Sequence, residues 1–111
     1  MRRDQERLRD ILDAIEQIER YASHGRTACD NDELLQTWMV HHILIIGEAA
    51  SRLSAAFRTR HAAIPWWQII AMRHLLMQAY AAVGMAEVWA VRERNLPALK
   101  RQVPALIHAA P

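Results

Sequence analysis

The sequence predicts an all-α protein. Three glycines and four prolines in 111 residues are too few for the many turns of a small β protein. Apolar residues make up 52% of the chain and recur at helical spacing, while charged residues, 23%, fill the positions between them. A chain of this length fits one domain, so we expect residues 1–111 to form a single bundle of about five helices.

The N-terminal part of the chain is typical of one amphipathic helix followed by a loop. The helix is predicted from Asp4 to about Ser23, because apolar residues recur there every three or four positions. These residues are Leu8, Ile11, Leu12, Ile15 and Ile18. The polar stretch SHGRTACDND follows, and Glu33, three places after Asp30, is spaced as in a capping box for the next helix.

The second helix is predicted to be long, from about Asn31 to Arg60, because nothing in that range breaks the helical pattern. At 1.5 Å per residue it would extend about 45 Å, more than a small domain needs. The apolar run ILII at 43–46 predicts that its middle is covered nearly all round. Part of that covering can come from a second copy of the chain.

Three further helices are predicted in the C-terminal half, and prolines mark their starts. The third, residues 65 to about 83, has Pro65 in its first turn, where a missing N–H is no loss. The fourth spans roughly residues 85–94. The fifth begins at Pro97, and we expect it to kink or end early at Pro104, which has no N–H to donate.

Composition favours a soluble protein of the reducing cytoplasm. The lone Cys29 cannot form an internal disulfide, and the charged N-terminus MRRDQERLRD does not resemble a secretory signal. Charges interrupt every apolar run before it reaches the roughly 18 residues of a membrane span. A net charge of +2 is compatible with an RNA partner but too small to identify one.

Four segments, in order, resemble the HEPN superfamily and, within it, the HepT-like toxins. The match extends over about 90 residues, and its specificity lies in the order and spacing of the segments. They are RLRDILDAIEQIERY at 7–21, HHILIIGEAASRLS at 41–54, IPWWQIIAMRHLLMQAY at 64–80 and EVWAVRERNLPALK at 87–100. The resemblance implies a helical bundle that forms a homodimer and needs no cofactor.

The resemblance also implies a ribonuclease site in a cleft between two subunits. The family builds it from an Arg, a following polar residue and a His four to six positions after that polar residue. Arg73 and His74 match the first two, but Gln78 stands where the family has its His. A histidine exchanges protons near neutral pH, whereas a glutamine amide only forms hydrogen bonds, so Gln78 can hold a substrate without activating it.

Helical geometry limits which of these residues act together. His74 and Gln78, four apart, lie on one face, so His74 is the obvious substitute for the missing histidine. Arg73 and Gln78 point about 140° apart in an ideal helix. One substrate touches both only through the long reach of Arg73, a distorted helix, or the second subunit of a dimer.

Tyr80 matches a tyrosine that the family carries two residues after its histidine. In toxin–antitoxin modules of this kind, the resemblance implies that a partner, a minimal nucleotidyltransferase, attaches AMP to that tyrosine and silences the toxin. The added phosphate would place bulk and negative charge beside Arg73. Without the family context, Tyr80 would be a partly buried ring with a hydrogen-bonded hydroxyl.

Other polar and aromatic residues have two interpretations each. Glu48 can orient Arg73 across the helices, or it can simply pair with Arg52 one turn along its own helix. His41 and His42 point about 100° apart and no carboxylate completes a set, so we predict no metal site. Most of the four tryptophans should be core or interface residues. The resemblance makes Trp67 the best candidate for exposure, because the family usually carries a charged or polar residue at that position.

Three readings of the function remain. The first is a dimeric ribonuclease toxin that cuts RNA with Arg73, His74 and Gln78 and is controlled at Tyr80 by its antitoxin. The second is a homologue that has lost turnover and binds the nucleotidyltransferase or RNA. The third is an unrelated helical adaptor. This hypothesis leaves the four matched segments, and their order along the chain, without an explanation.

Overall fold

A computed structural model describes residues 2–78 and 85–109, and within these ranges the chain is helical and contains no strand. The all-α prediction is therefore confirmed. The described residues form seven helices rather than about five: α1 (Arg2–Ala22), α2 (Arg26–Asp30), α3 (Glu33–Arg52), α4 (Ala55–Arg60), α5 (Trp66–Gln78), α6 (Met85–Arg94) and α7 (Leu96–Ala109). The two additional helices are short: α2 replaces part of a predicted loop, and α4 is the separated end of the predicted second helix.

Helix α2 lies in the stretch predicted to be a loop. Gly25 precedes it with φ of 93°, a left-handed conformation that glycine adopts without steric cost. The single turn then buries Cys29 completely, and burial raises the pKa of its thiol. Gln36 Nε2 donates to the carbonyls of Cys29 (3.1 Å) and Asp30 (2.9 Å), which satisfies the C-terminal end of the turn.

Asp32, and not Asp30, caps the N-terminus of α3. Its Oδ1 accepts hydrogen bonds from the backbone N–H groups of Leu34 (2.9 Å) and Leu35 (3.2 Å). The predicted capping box between Asp30 and Glu33 is therefore wrong. Either aspartate suits an N-cap by composition, and the turn of α2 decides which one occupies the position.

The predicted single helix from 31 to 60 is broken at Leu53 and Ser54, both of which have extended backbone. Ser54 caps α4, because its Oγ accepts from Phe57 N at 3.1 Å. The buried carboxylate of Asp4 accepts from both the N–H and the hydroxyl of Ser54, each at 2.9 Å. A contact 50 residues away in sequence therefore stabilises the break.

Helix α3 is the centre of the bundle. It packs against α1 and α5 and also contacts α2 and α6, while α7 lies against α1 and α6. Ile43 and Ile46 are fully buried, but Leu44 and Ile45 are only partly buried. The predicted all-round covering of the ILII run is thus incomplete within one described chain.

The C-terminal helices follow the prediction with one exception. Helix α5 begins directly after Pro65, and its predicted extension to about residue 83 lies outside the described residues; α6 has the predicted bounds. Helix α7 does not end at Pro104 but continues to Ala109. Leu99 and Val103 are buried, and this packing offsets the hydrogen bond that the proline cannot make. In the described part of the chain, every helix is too short or too polar to span a bilayer.

Candidate functional site

Arg73 projects from α5 toward α3, where its guanidinium contacts the carboxylate of Glu48. Nη2 of Arg73 lies 2.8 Å from Oε2 of Glu48, and the arginine side chain is only 23% exposed. The other oxygen, Oε1, accepts from Nε of Arg52 at 2.5 Å. Both pairings considered for Glu48 are therefore present: its carboxylate contacts Arg52 on its own helix and Arg73 on α5.

The charge of Glu48 is secured by these neighbours. The hydrogen bond from Arg52, joined by the positive charge of Arg73, lowers the pKa of the Glu48 carboxyl below its ordinary value, and burial opposes this only in part. The carboxylate is therefore ionised at neutral pH. It uses one donor group of Arg73, and since a guanidinium carries five N–H donors, capacity remains for a phosphate.

Gly47 allows α3 and α5 to approach closely where Arg73 leaves its helix. A Cβ atom built at Gly47 would overlap Cβ of Arg73 and lie 3.2 Å from its Cγ and Cδ. These three nearest atoms all belong to the Arg73 side chain, and Cβ is its rigid root rather than its flexible end. The glycine therefore sets the position from which Arg73 reaches Glu48.

We expect Gly47→Ala to lower the free energy of unfolding by about 1–2 kcal/mol, because overpacking outweighs the better helix propensity of alanine. Urea unfolding of a double-mutant cycle checks the cause. The cost should persist beside Arg73→Ala, which retains Cβ, and should largely disappear beside Arg73→Gly, which removes it. If Gly47→Ala lowers the free energy of unfolding equally in the native, Arg73→Ala and Arg73→Gly chains, contact with Cβ of Arg73 does not limit how closely α3 and α5 approach.

A cleft of about 380 Å³ opens beside the Arg73–Glu48 pair, between α1, α3 and α5. It is lined by Arg7, Asp10, His41, Leu44, Ile45, Glu48, Ala49 and Arg73. Nη1 of Arg7 lies 3.8 Å from Oδ2 of Asp10. The cleft thus combines two guanidinium groups, each paired with a carboxylate, a histidine and an apolar wall. The N–H donors that these pairs leave free suit a ligand with both phosphate and uncharged parts.

The remaining motif residues are only partly within the described structure. His74 is exposed on the neighbouring face of α5. Gln78 is the last described residue of that helix, and its side chain lies outside the described part. Tyr80 lies among residues 79–84, outside the described residues. The roles predicted for these three residues stay predictions.

His41 and His42 belong to a group of aromatic rings rather than to a cluster of ligands. The His42 and Trp38 ring centroids are 5.9 Å apart, and Tyr21 lies 5.7 Å from His42. Nδ1 of His42 is 2.7 Å from the carbonyl oxygen of Trp38. Among the described residues, no three His, Cys, Asp or Glu side chains are placed to hold a metal ion.

The four tryptophans divide evenly between core and surface. Trp66 and Trp89 are buried, whereas Trp38 is 43% and Trp67 is 72% exposed. The expected exposure of Trp67 is confirmed. Most tryptophans were expected in the core or an interface. Within the single chain, only Trp66 and Trp89 are buried.

Three residues of this site were not predicted from the sequence: Gly47, within the segment HHILIIGEAASRLS, and Arg7 and Asp10 in the first helix. The signal for Gly47 was a lone glycine inside a strong helical pattern, which typically marks a close approach. Arg7 and Asp10 gave no such signal, because charged residues three apart on an amphipathic helix usually face solvent.

Comparison with known proteins agrees with this architecture. Residues 11–106 match the family model described as Ribonuclease HepT-like. The chain is 34% identical over 97 residues to "Probable ribonuclease HepT" of Thermococcus cleftensis, covering 84% of this chain and 86% of the relative. It is 33% identical over 76 residues to a "Putative RNase" of Caldanaerobacter subterraneus, covering 68% of each.

A further relative is longer than this chain. It is the "Gamma-glutamylcyclotransferase and putative RNase" of Methanocaldococcus jannaschii, 35% identical over 98 residues, which cover 86% of this chain and only 44% of the relative. No solved structure gives a significant match. The family match spans most of the chain and includes Glu48 and Arg73: the chain belongs to the ribonuclease HepT-like family of HEPN-type proteins.

Proposed function

We propose that this protein is a ribonuclease toxin of a two-gene toxin–antitoxin module, active as a homodimer in the cytoplasm. The observation that carries the proposal is the arrangement of Arg73, which Glu48 orients and Gly47 positions at the edge of a cleft. An arginine fixed in this way is a good binding group for a phosphodiester, because its charge is in place before the ligand arrives. Membership of a ribonuclease family makes RNA the best candidate ligand.

In the proposed reaction, Arg73 holds the scissile phosphate and neutralises charge as it develops. The ribose 2′-oxygen attacks phosphorus and its proton passes to a base, while the bond to the 5′-oxygen breaks and that oxygen takes a proton. His74 is the proton-exchanging group nearest to Arg73 in sequence, and Gln78 supplies hydrogen bonds alone. With one fewer proton-exchanging residue, we expect turnover slower by about 10²- to 10⁴-fold than a histidine at 78 would give.

Two features of the chain favour a homodimer as the active form. Arg73 and Gln78 diverge by about 140° on an ideal helix, so a second subunit can bring the complementary residue to the same phosphate. Leu44 and Ile45, which line the cleft, are only partly buried in the single chain. A second copy packed there would complete the covering of the ILII run.

A second candidate function follows from Gln78. If the missing histidine abolishes turnover, the same arginine and cleft still bind RNA or the nucleotidyltransferase, and the protein is a binding module. The two functions differ in whether a bond breaks. They share Arg73 as the phosphate-binding group.

RNA cleavage by the purified dimer tests the main proposal. We expect slow cleavage of a single-stranded RNA and none of the same sequence with 2′-O-methyl ribose, because the methyl group removes the attacking nucleophile. Both strands should bind with similar affinity. Binding of both without cleavage of either supports the binding module, and cleavage of both would contradict attack by the 2′-hydroxyl.

The proposed antitoxin is a minimal nucleotidyltransferase that transfers AMP to Tyr80. Incubation of the chain with that enzyme and ATP should add the mass of one AMP group, located at Tyr80 by peptide mass spectrometry. Tyr80→Phe should remain unmodified and should retain cleavage in the presence of the enzyme. Modification at Tyr21, the other tyrosine, would contradict the assignment.

A further inference from the structure

The exposed indole of Trp67 is a feature of this chain that the proposed catalytic chemistry does not use. Its side chain is 72% exposed at the start of α5. Exposure of an aromatic ring of this size to water is unfavourable, and the ring is well suited to stack on another flat ring. Its surroundings indicate what kind of ring that is.

Arg58 holds one side of the indole in place. Its guanidinium carbon lies 5.3 Å from the centroid of the Trp67 ring, a cation–π contact. Nη1 of Arg58 also donates to the carbonyls of Ala50 (3.2 Å) and Ser51 (3.0 Å), which anchors the arginine at the end of α3. The indole is therefore covered on one side by a fixed cation, and its large exposed fraction leaves surface for a ligand.

The groove next to Trp67 carries positive charge and no acidic side chain. Its volume is about 480 Å³, between α4 and the start of α5. The lining residues are Ala55, Arg58, Thr59, Ala62, Ile64, Pro65, Trp66, Trp67 and Gln68. A cation and an exposed aromatic ring at an apolar groove match a nucleotide, which offers a phosphate and a planar base.

Exposed residues on one face of α5 lead from the groove to His74 of the proposed ribonuclease site. Trp67, Ala71 and His74 are spaced by four and three residues and are all exposed, so they form one line on the helix surface. Trp67 and His74 are separated by seven residues, about 10.5 Å along the axis. Ala71, between them, presents only a methyl group, and a strand can pass over it.

We infer that Trp67 and Arg58 form a base-stacking subsite for single-stranded RNA, which extends the proposed ribonuclease site toward the start of α5. This inference rests on the proposed function for its RNA ligand. Trp67 stacks on one base, Arg58 attracts the neighbouring phosphate, and the strand continues over Ala71 to His74. The subsite contributes affinity and not proton transfer.

Binding of a fluorescein-labelled oligouridine of about twelve nucleotides, followed by anisotropy, tests the subsite. All its riboses carry 2′-O-methyl groups, so that binding is measured without cleavage. We expect Trp67→Ala to weaken binding roughly 5- to 150-fold, as loss of one base–aromatic stack does. Trp67→Phe, which keeps a ring, should retain most of the affinity, and Trp67→Gln, which keeps length without a ring, should behave as Trp67→Ala.

Leu34→Ala is the matched control, because Leu34 is 65% exposed at the opposite end of α3 from Glu48 and should leave affinity unchanged. If Arg73→Ala weakens binding but Trp67→Ala and Trp67→Gln do not, the subsite is overturned and the proposed function stands. If the native chain does not bind the oligonucleotide, both are overturned. Sedimentation shows whether Trp67→Ala dissociates the dimer. If it does, and if RNA affinity falls only in proportion to the fraction of dimer lost, Trp67 is an interface residue and the subsite is overturned.

Discussion

Gln78→His is expected to raise the rate of RNA cleavage by about 10²- to 10⁴-fold, the usual contribution of one general acid–base residue. The substitution restores a side chain that exchanges protons near neutral pH, four residues after His74 on the same face of α5. Because glutamine and histidine both form hydrogen bonds, affinity for an uncleavable RNA should change little. Single-turnover cleavage with excess enzyme separates this change in the chemical step from any change in binding.

Gln78→Asn is the matched control, since it changes the side chain without adding a proton-exchanging group, and it should stay as slow as the native chain. The pH dependence of cleavage by Gln78→His should also gain a limb near neutral pH that the native chain lacks: the rate rises there if the new imidazole is the base and falls if it is the acid. Equal rates for histidine, asparagine and glutamine at position 78 would mean that this position takes no part in proton transfer.

Much of the fold could be predicted because helical periodicity is a local signal. The bounds of α1 and α6 and the start of α5 after Pro65 follow from apolar spacing and proline chemistry alone. The break at Leu53 and Ser54 could not be predicted in the same way. It depends on the carboxylate of Asp4, which only the folded chain brings to Ser54.

In the candidate site, too, local features could be predicted and contacts between helices could not. Its residue types came from the segments that match the family, and the pairing of Glu48 with Arg52 follows from their spacing of four. The contact between Glu48 and Arg73 joins two helices, so sequence spacing left it as one of two alternatives. The role of Gly47 depends on how closely α3 and α5 approach, a distance that no local pattern contains.

Arg73→Ala should lower the rate of RNA cleavage by at least about 10²-fold, as removal of one group that stabilises transition-state charge typically does. The alanine retains Cβ against Gly47, so the helix crossing is preserved. Arg52→Ala is a close control, because Arg52 contacts the same Glu48 carboxylate from an exposed position. Its loss should change the rate by less than about fivefold.

The most direct test is therefore the single-turnover cleavage rate of Arg73→Ala and that of Arg52→Ala, each divided by the rate of the native protein. Cleavage is expected to be lost in Arg73→Ala and kept in Arg52→Ala, since only Arg73 is proposed to bind the scissile phosphate. Cleavage that survives in Arg73→Ala, or that falls equally in both variants, would contradict this role of Arg73.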